Sequence, residues 1–258
     1  MKKTSVLIFV LAMACCGNAL AQGKKVKDHS TDPEHFYLYE SEVPSNLKLL
    51  PPPPEENSAR FAYDIEQYEW GKSQRNTPRG EQAIKDADTS DKGVCEAFSP
   101  AFGITISQET TPQLYRLITG MREDLGDLAT DEAKKYYKRK RPFLYFNEDT
   151  SIPELQKRYT KSGSYPSGHT AIGWGTALVL AEINTGNQEA ILKRGYEMGQ
   201  SRVIAGFHFQ SDVDASRWMC TAIVARLHAD KEFCKQLKKA KKEFAKLQKQ
   251  GKIQNVSL

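Results

Sequence analysis

The chain predicts an all-α protein, a single-domain helical bundle around a central buried helix. From Ser58 onward apolar residues recur at spacings of three and four, the stretch from Thr170 to Ile183 is apolar nearly all round, and no segment alternates polar with apolar as a half-buried strand would. Four polar clusters interrupt this pattern: Lys134 with Arg141-Pro142, Pro166-Ser167-Gly168-His169, Ser201-Arg202, and His208 with Asp212.

The N-terminus opens with Met1-Lys2-Lys3, continues as an apolar run from Val6 to Cys16, and reaches Ala19-Leu20-Ala21 before Gln22. A basic start, an apolar stretch too short for a bilayer and a small-x-small end make a cleavable secretory signal, with cleavage expected after Ala21. A lipid anchor on Cys15 or Cys16 lacks the usual Leu-x-small context. The expected organisation is a signal peptide over 1–21, an extended arm with a proline strap over 22–57, a helical domain over 58–250 and a tail over 251–258. Pro51 to Pro54 cannot be helix or central strand, and polyproline geometry makes them a stiff strap. Leu47, Leu49 and Leu50 just before it favour a strap lying on the domain.

Thr111-Pro112 reads as a cap and first turn, with Leu114, Leu117, Ile118, Met121, Leu125 and Leu128 on one stripe behind it. A helix from about Thr130 to the residue before Pro142 would put Lys134 and Arg141 two turns apart on one side. The intervening Lys138, Arg139 and Lys140 read as charged helix surface. The central stretch begins at Ser167-Gly168-His169, so its free amides and the positive end of its dipole lie beside Ser167 and His169. Ser167 suits an N-cap, a ligand, or both.

From Gln188 to about Ile204, Ile191, Gly195, Met198 and Arg202 share a stripe, and an inward arginine calls for an anion. Gly206 ends that helix, His208 falls in a turn, and Ser211 is expected to cap a helix whose inner stripe runs Asp212, Ala215, Met219, Ala222 and Arg226. An aspartate in a first helical turn is stabilised as the anion and suits an imidazole proton. The last helix carries Phe233, Leu237, Ala240, Phe244 and Leu247 on one face, to dock on the body or a partner.

The formal charge of +5 falls to +3 once Lys2 and Lys3 leave, and nine lysines against two glutamates from Lys231 to Lys252 carry +7, which leaves about −4 on residues 22–230. The basic character therefore belongs to a solvated lysine face, and a nucleic-acid partner is not expected. Export allows disulfides, and two arrangements are open: a Cys220–Cys234 bridge with Cys95 unpaired, or three free thiols. No CxxC or HExxH spacing is present, so no metal or other cofactor is expected.

Three fixed cations, a hydroxyl, a glycine and two imidazoles suit a tetrahedral oxyanion whose bond to oxygen must be broken. Phosphoryl transfer needs a positive cradle, an in-line nucleophile and a proton for the leaving oxygen. Lys-x6-Arg-Pro, Pro-Ser-Gly-His and Ser-Arg-x5-His-x3-Asp, all filled in order here, resemble the signature of the type 2 phosphatidic acid phosphatase superfamily, which includes vanadium haloperoxidases. Leu50 with the prolines, Thr77-Pro78-Arg79-Gly80, Gly126 to Thr130 and Gly199 to Ile204 narrow the resemblance to class A bacterial non-specific acid phosphatases. The likeness runs from about Pro44 to Leu247, with Phe209 where an indole is common and Ala205 where a cysteine is common.

The resemblance implies an exported, metal-independent acid phosphatase acting on small phosphate monoesters such as nucleotides, sugar phosphates and aryl phosphates, with phosphotransferase activity as a companion reaction. It also implies residue roles. Lys134, Arg141, Arg202, Ser167 and the Gly168 amide would hold the phosphoryl oxygens. His208 would attack phosphorus, Asp212 would hold its other ring proton, and His169 would protonate the leaving oxygen. With the amphipathic last helix it implies a homodimer or a multiple of dimers. The alternatives are a vanadate-dependent haloperoxidase and a silent phospho-ligand binding protein. A membrane lipid phosphatase is disfavoured, since no apolar stretch of bilayer length survives signal removal.

Overall fold

The computed structural model describes residues 37–256. The expected signal peptide over 1–21 and the arm as far as residue 36 lie outside these residues. Twelve α-helices make up the described part, with no strand among the described residues: α1 (Asn46–Leu49), α2 (Ala59–Gln74), α3 (Pro78–Lys85), α4 (Asp91–Phe102), α5 (Pro112–Leu125), α6 (Asp127–Tyr137), α7 (Pro142–Tyr145), α8 (Pro153–Arg158), α9 (Gly168–Ile183), α10 (Gln188–Ile204), α11 (Gln210–Leu227) and α12 (Lys231–Lys249). The fold is all-α, as the periodicity predicts. Among the described residues no helix is long and apolar enough to cross a membrane.

Local chemistry sets the helix starts. The Ser58 hydroxyl accepts from the Phe61 amide, Thr77 precedes Pro78, Ser90 accepts from the Gly93 amide, and Asp230 accepts from the Phe233 amide at 2.8 Å. Thr111 precedes Pro112 as expected, although its hydroxyl bonds loop carbonyls rather than the helix.

Helix α9 is the centre, touching α4, α5, α6, α10, α11 and α12. Its small residues let neighbours approach. A side-chain carbon at Gly173 would sit 2.9 Å from Cβ of Met198 on α10, and one at Gly195 would strike Ala177. The α9–α10 seam is therefore close-packed, each glycine lying against a side chain of the facing helix. Ile191, Gly195, Met198 and Arg202 are all buried on α10, as their spacing predicts.

The apolar face of α12 docks on α5: Phe233, Leu237, Ala240 and Phe244 are buried, and Gln236 donates to the Gln113 carbonyl. Because that face is covered within the chain, it offers no argument for a dimer. The arm lies on the body. Leu38 and Leu50 are buried, the Tyr37 and Leu38 amides both donate to the Asp124 carboxylate at 3.0 Å, and the Tyr165 hydroxyl donates to the Pro51 carbonyl at 2.6 Å.

Three expectations are corrected. The helix bearing Lys134 starts at Asp127 and stops at Tyr137, where Lys138 turns left-handed at φ 47°, so Arg141 sits outside it at the start of α7. Phe209 rather than Ser211 precedes α11, whose buried face carries Asp212, Ala215 and Met219 as expected, together with Ser216, Cys220, Ile223 and Leu227, while Ala222 and Arg226 are half-buried. The guanidinium of Arg226 reaches out to Glu42 of the arm at 2.7 Å. Of the two cysteine arrangements left open, the structure has three free thiols: Cys220 is buried in the core and Cys234 exposed.

Candidate active site

Five chain segments converge at the N-terminus of α9. Lys134 comes from the last turn of α6, Arg141 from the extended link to α7, Ser167 to His169 from the cap of α9, Arg202 from the end of α10, and His208 with Asp212 from the turn opening α11. All eight predicted residues belong to this region. The corrected helix break still delivers Arg141, because the left-handed turn at Lys138 redirects the chain into the site.

Ser167 is fully buried, and its hydroxyl accepts from the Thr170 amide at 3.3 Å and from the Thr170 hydroxyl at 2.9 Å, so it is the N-cap of α9. Its hydroxyl proton is left for another acceptor. Gly168 follows, where a side-chain carbon would lie 3.2 Å from the Lys134 ammonium. Lysine and helix terminus thus meet across a glycine. The ammonium donates to Thr130 Oγ1 at 2.6 Å.

Arg141 is 2% exposed and fastened on its backbone side: Nε donates to the Ser162 carbonyl at 3.0 Å, Nη2 to that of Gly163 at 3.2 Å, and Nη1 to that of Phe207 at 3.2 Å. Arg202 is its opposite. It is fully buried, yet Nε, Nη1 and Nη2 all have no hydrogen-bond partner among the described residues. Its guanidinium rests 4.5 Å from the centre of the Phe207 ring, and that of Arg141 rests 4.6 Å from the Tyr159 ring. Two cations on an aromatic floor, one unsatisfied, have the charge and free donors that suit an oxyanion.

The imidazole of His208 has a determined tautomer. Nη1 of Arg141 lies 2.9 Å from Nε2, and a guanidinium can only donate, so Nε2 is the acceptor and Nδ1 carries the proton. Nδ1 faces Ser164 Oγ at 3.4 Å and Asp212 Oδ2 at 3.5 Å. His169 is set the other way: Nε2 donates to the Ala87 carbonyl at 3.2 Å, so Nδ1 is its exchangeable position.

Electrostatics push the five predicted cationic groups of the site toward neutrality. Burial, aided by the charge of Arg141, lowers Lys134 to about 8. Burial lowers Arg141 to about 10, and burial with the charge of Arg141 lowers Arg202 to about 10. Burial and Arg141 take His208 down to about 3 against the opposing pull of Asp212, while burial, Arg202 and His208 hold His169 well below its usual value. Asp212 is the exception: burial opposes its charge, but Arg139, His208 and Ser164 outweigh burial and hold it below the usual carboxylate range. A bound oxyanion would relieve all five cationic shifts together.

Several residues here were not singled out from sequence. Arg139 is not helix surface. Its Nη1 donates to Asp212 at 2.5 Å and its Nη2 to Asp64 at 2.7 Å, with both carboxylates fully buried. The Ser164 hydroxyl donates to Asp212 Oδ2 at 2.5 Å, and Ser211 donates to Asp64 through amide and hydroxyl. Ser201, by contrast, belongs to the third polar cluster of the sequence; it is engaged with Asp86 and Arg79 and ties α10 to the end of α3. No local periodicity announces these pairs, since each joins distant parts of the chain.

Fold and site together define an all-α protein whose buried centre holds an imidazole against a cationic oxyanion receptor. Residues 118–234 match the PAP2 superfamily. The chain is 52% identical to a non-specific acid phosphatase of Providencia stuartii, over 93% of this chain and 99% of that protein. It is 42% identical to a non-specific acid phosphatase of Salmonella typhimurium, over 81% and 83%, and 31% identical to an acid phosphatase of Zymomonas mobilis, over 93% and 90%. The chain belongs to the bacterial non-specific acid phosphatases of the PAP2 superfamily. It is a phosphoric monoester hydrolase, which sets aside the haloperoxidase and the silent binding protein.

Proposed function

We propose that the enzyme hydrolyses phosphate monoesters through a phosphohistidine on His208. The observation that carries this reading is the tautomer of His208: Asp212 and Ser164 face the protonated Nδ1, and Nε2 keeps its lone pair beside the unpartnered Arg202 cradle. Lys134, Arg141, Arg202, the Ser167 hydroxyl and the Gly168 amide hold the non-bridging oxygens. They stabilise charge that develops in the transition state.

In the first half-reaction the Nε2 lone pair attacks phosphorus and the P–O ester bond breaks in line. The proton that the monoanionic ester brings passes to Nδ1 of His169, which gives it to the departing alkoxide. In the second, water attacks phosphorus, His169 takes back a proton, and the P–N bond returns its electron pair to Nε2. A second alcohol in place of water gives phosphotransfer. The cradle reads the phosphoryl group rather than the group attached to it, so nucleotides, sugar phosphates and aryl phosphates are all substrates. We further propose that the enzyme is exported after cleavage near Ala21 and assembles as a homodimer or a multiple of dimers.

The test is a millisecond quench of enzyme with 32P-labelled aryl phosphate in alkaline denaturant, which preserves phosphoramidates, followed by peptide mapping. Label on His208 is the expected result. Label on any other residue removes this mechanism, and chelator-sensitive turnover removes its metal independence.

A further inference from the structure

Behind His208 lies a buried chain of charges, two of whose members, Asp64 and Arg139, are outside the eight-residue site. Asp64 on α2, Arg139 in the link after α6, and Asp212 on α11 run as carboxylate, guanidinium, carboxylate, and end on the imidazole. Arg139 is sandwiched: its guanidinium lies 4.4 Å from the Phe209 ring centre and 5.9 Å from that of Phe61. Asp64 is locked in turn by the Ser211 amide at 2.8 Å and hydroxyl at 2.6 Å. Each carboxylate therefore has a fixed plane.

That plane matters because the imidazole is held loosely. Asp212 Oδ2 takes the Ser164 hydroxyl at 2.5 Å and the Phe209 amide at 2.8 Å, while His208 Nδ1 stands at 3.5 Å. Oδ1 takes only Arg139 among the hydrogen bonds of the carboxylate. Were Asp212 to rotate, Nδ1 would lose its acceptor, and the other ring tautomer, with the proton on Nε2, cannot attack phosphorus. A planar guanidinium bridging two buried carboxylates is the group that prevents rotation.

We propose that Arg139 and Asp64 are positioning residues for the reaction, setting the orientation of Asp212 and through it the tautomer of His208. This rests on His208 being the nucleophile. Neither residue touches the phosphoryl group, so their loss should act on the chemical step and spare substrate binding.

The experiment uses the mature enzyme with p-nitrophenyl phosphate and the variants Arg139→Lys and Asp64→Asn. Rapid-quench kinetics give the phosphorylation rate, steady state gives KM, and 15N spectra of the resting protein give the His208 tautomer. Arg139→Lys should slow phosphorylation roughly tenfold to a hundredfold, the usual range for a partner that orients an active group, with KM held within about twofold. Its His208 signals should move from the Nδ1–H form toward a mixture, and Asp64→Asn should move them in the same direction. Unchanged ring shifts in a folded variant overturn the proposal, as does a phosphorylation rate within twofold of wild type. If Arg139→Lys does not fold, Asp64→Asn, which keeps the Arg139–Asp212 pair, decides alone. The ring shifts are read without substrate, so label mapped to a residue other than His208 would sink the nucleophile assignment separately from the tautomer result.

Discussion

Nη1 of Arg141 sits 2.9 Å from Nε2 of His208, so the proposed nucleophile is already capped by a cation before any ester arrives. Attack requires that guanidinium to leave the nitrogen for a phosphoryl oxygen. The same contact repels a proton from Nε2, which together with burial takes His208 down to about 3.

This sets the acid limb of activity. An ordinary histidine, near 6.5, would be mostly protonated at pH 5 and unable to attack, whereas His208 keeps its lone pair there. On the alkaline side a phosphate ester loses its second proton near pH 6, and His169, held low by burial and by Arg202 and His208, does not carry a proton of its own at neutrality. The monoanionic ester brings the proton. kcat/KM for an aryl phosphate should hold from about pH 4 to 6 and fall up to tenfold per unit above about 7. An acid limb near 6.5 would show that His208 titrates as an ordinary histidine.

Arg202 trades stability for binding. Its buried guanidinium has no partner, so Arg202→Met should raise the melting temperature of the phosphate-free enzyme, by an amount equivalent to about 1 to 3 kcal/mol. The same variant should lose most activity and the stabilisation that inorganic phosphate gives wild type. A lower melting temperature in phosphate-free buffer would mean that the guanidinium is satisfied in solution.

Gly195 has no room for a side chain, since a carbon placed there meets Ala177 and the Gly173 carbonyl. Gly195→Val should destabilise the fold by about 2 to 3 kcal/mol, read by urea unfolding. A loss below about 0.5 kcal/mol would mean that the α9–α10 seam can open.

The thiols give a direct check on the covalent structure. Burial pushes Cys95 up to about 12 and Cys220 higher still, so native enzyme should react with a thiol reagent at Cys234 alone. After denaturation without reductant, the chain from Gln22 onward should release three thiols. A count of one would restore the Cys220–Cys234 bridge.

Much of this arrangement is legible in the sequence where the signal is local. The cap at Ser167, the inward stripe ending at Arg202 and the docked face of α12 each repeat within a few turns, so periodicity and capping rules reach them. Arg139 is the contrasting case. It stands between two lysines and looks like solvated charge, while its partners Asp64 and Asp212 lie 75 and 73 residues away. Such pairing obeys no period. The break after Tyr137 was equally hidden, because a lysine in left-handed geometry carries no compositional mark. Ser164 escapes for a third reason: its hydroxyl matters only once Asp212 is beside it.

The glycine seam between α9 and α10 has one more consequence. Ser167 and Gly168 open one helix, Arg202 closes the other, and between them Gly173 and Gly195 leave no room for a further side-chain carbon. The distance across the receptor is therefore gauged by that packing, like the jaws of a fixed calliper. Tetrahedral anions of one size pass the gauge whatever they carry behind them, so a change of anion would have to begin at the seam and a change of leaving group anywhere but there.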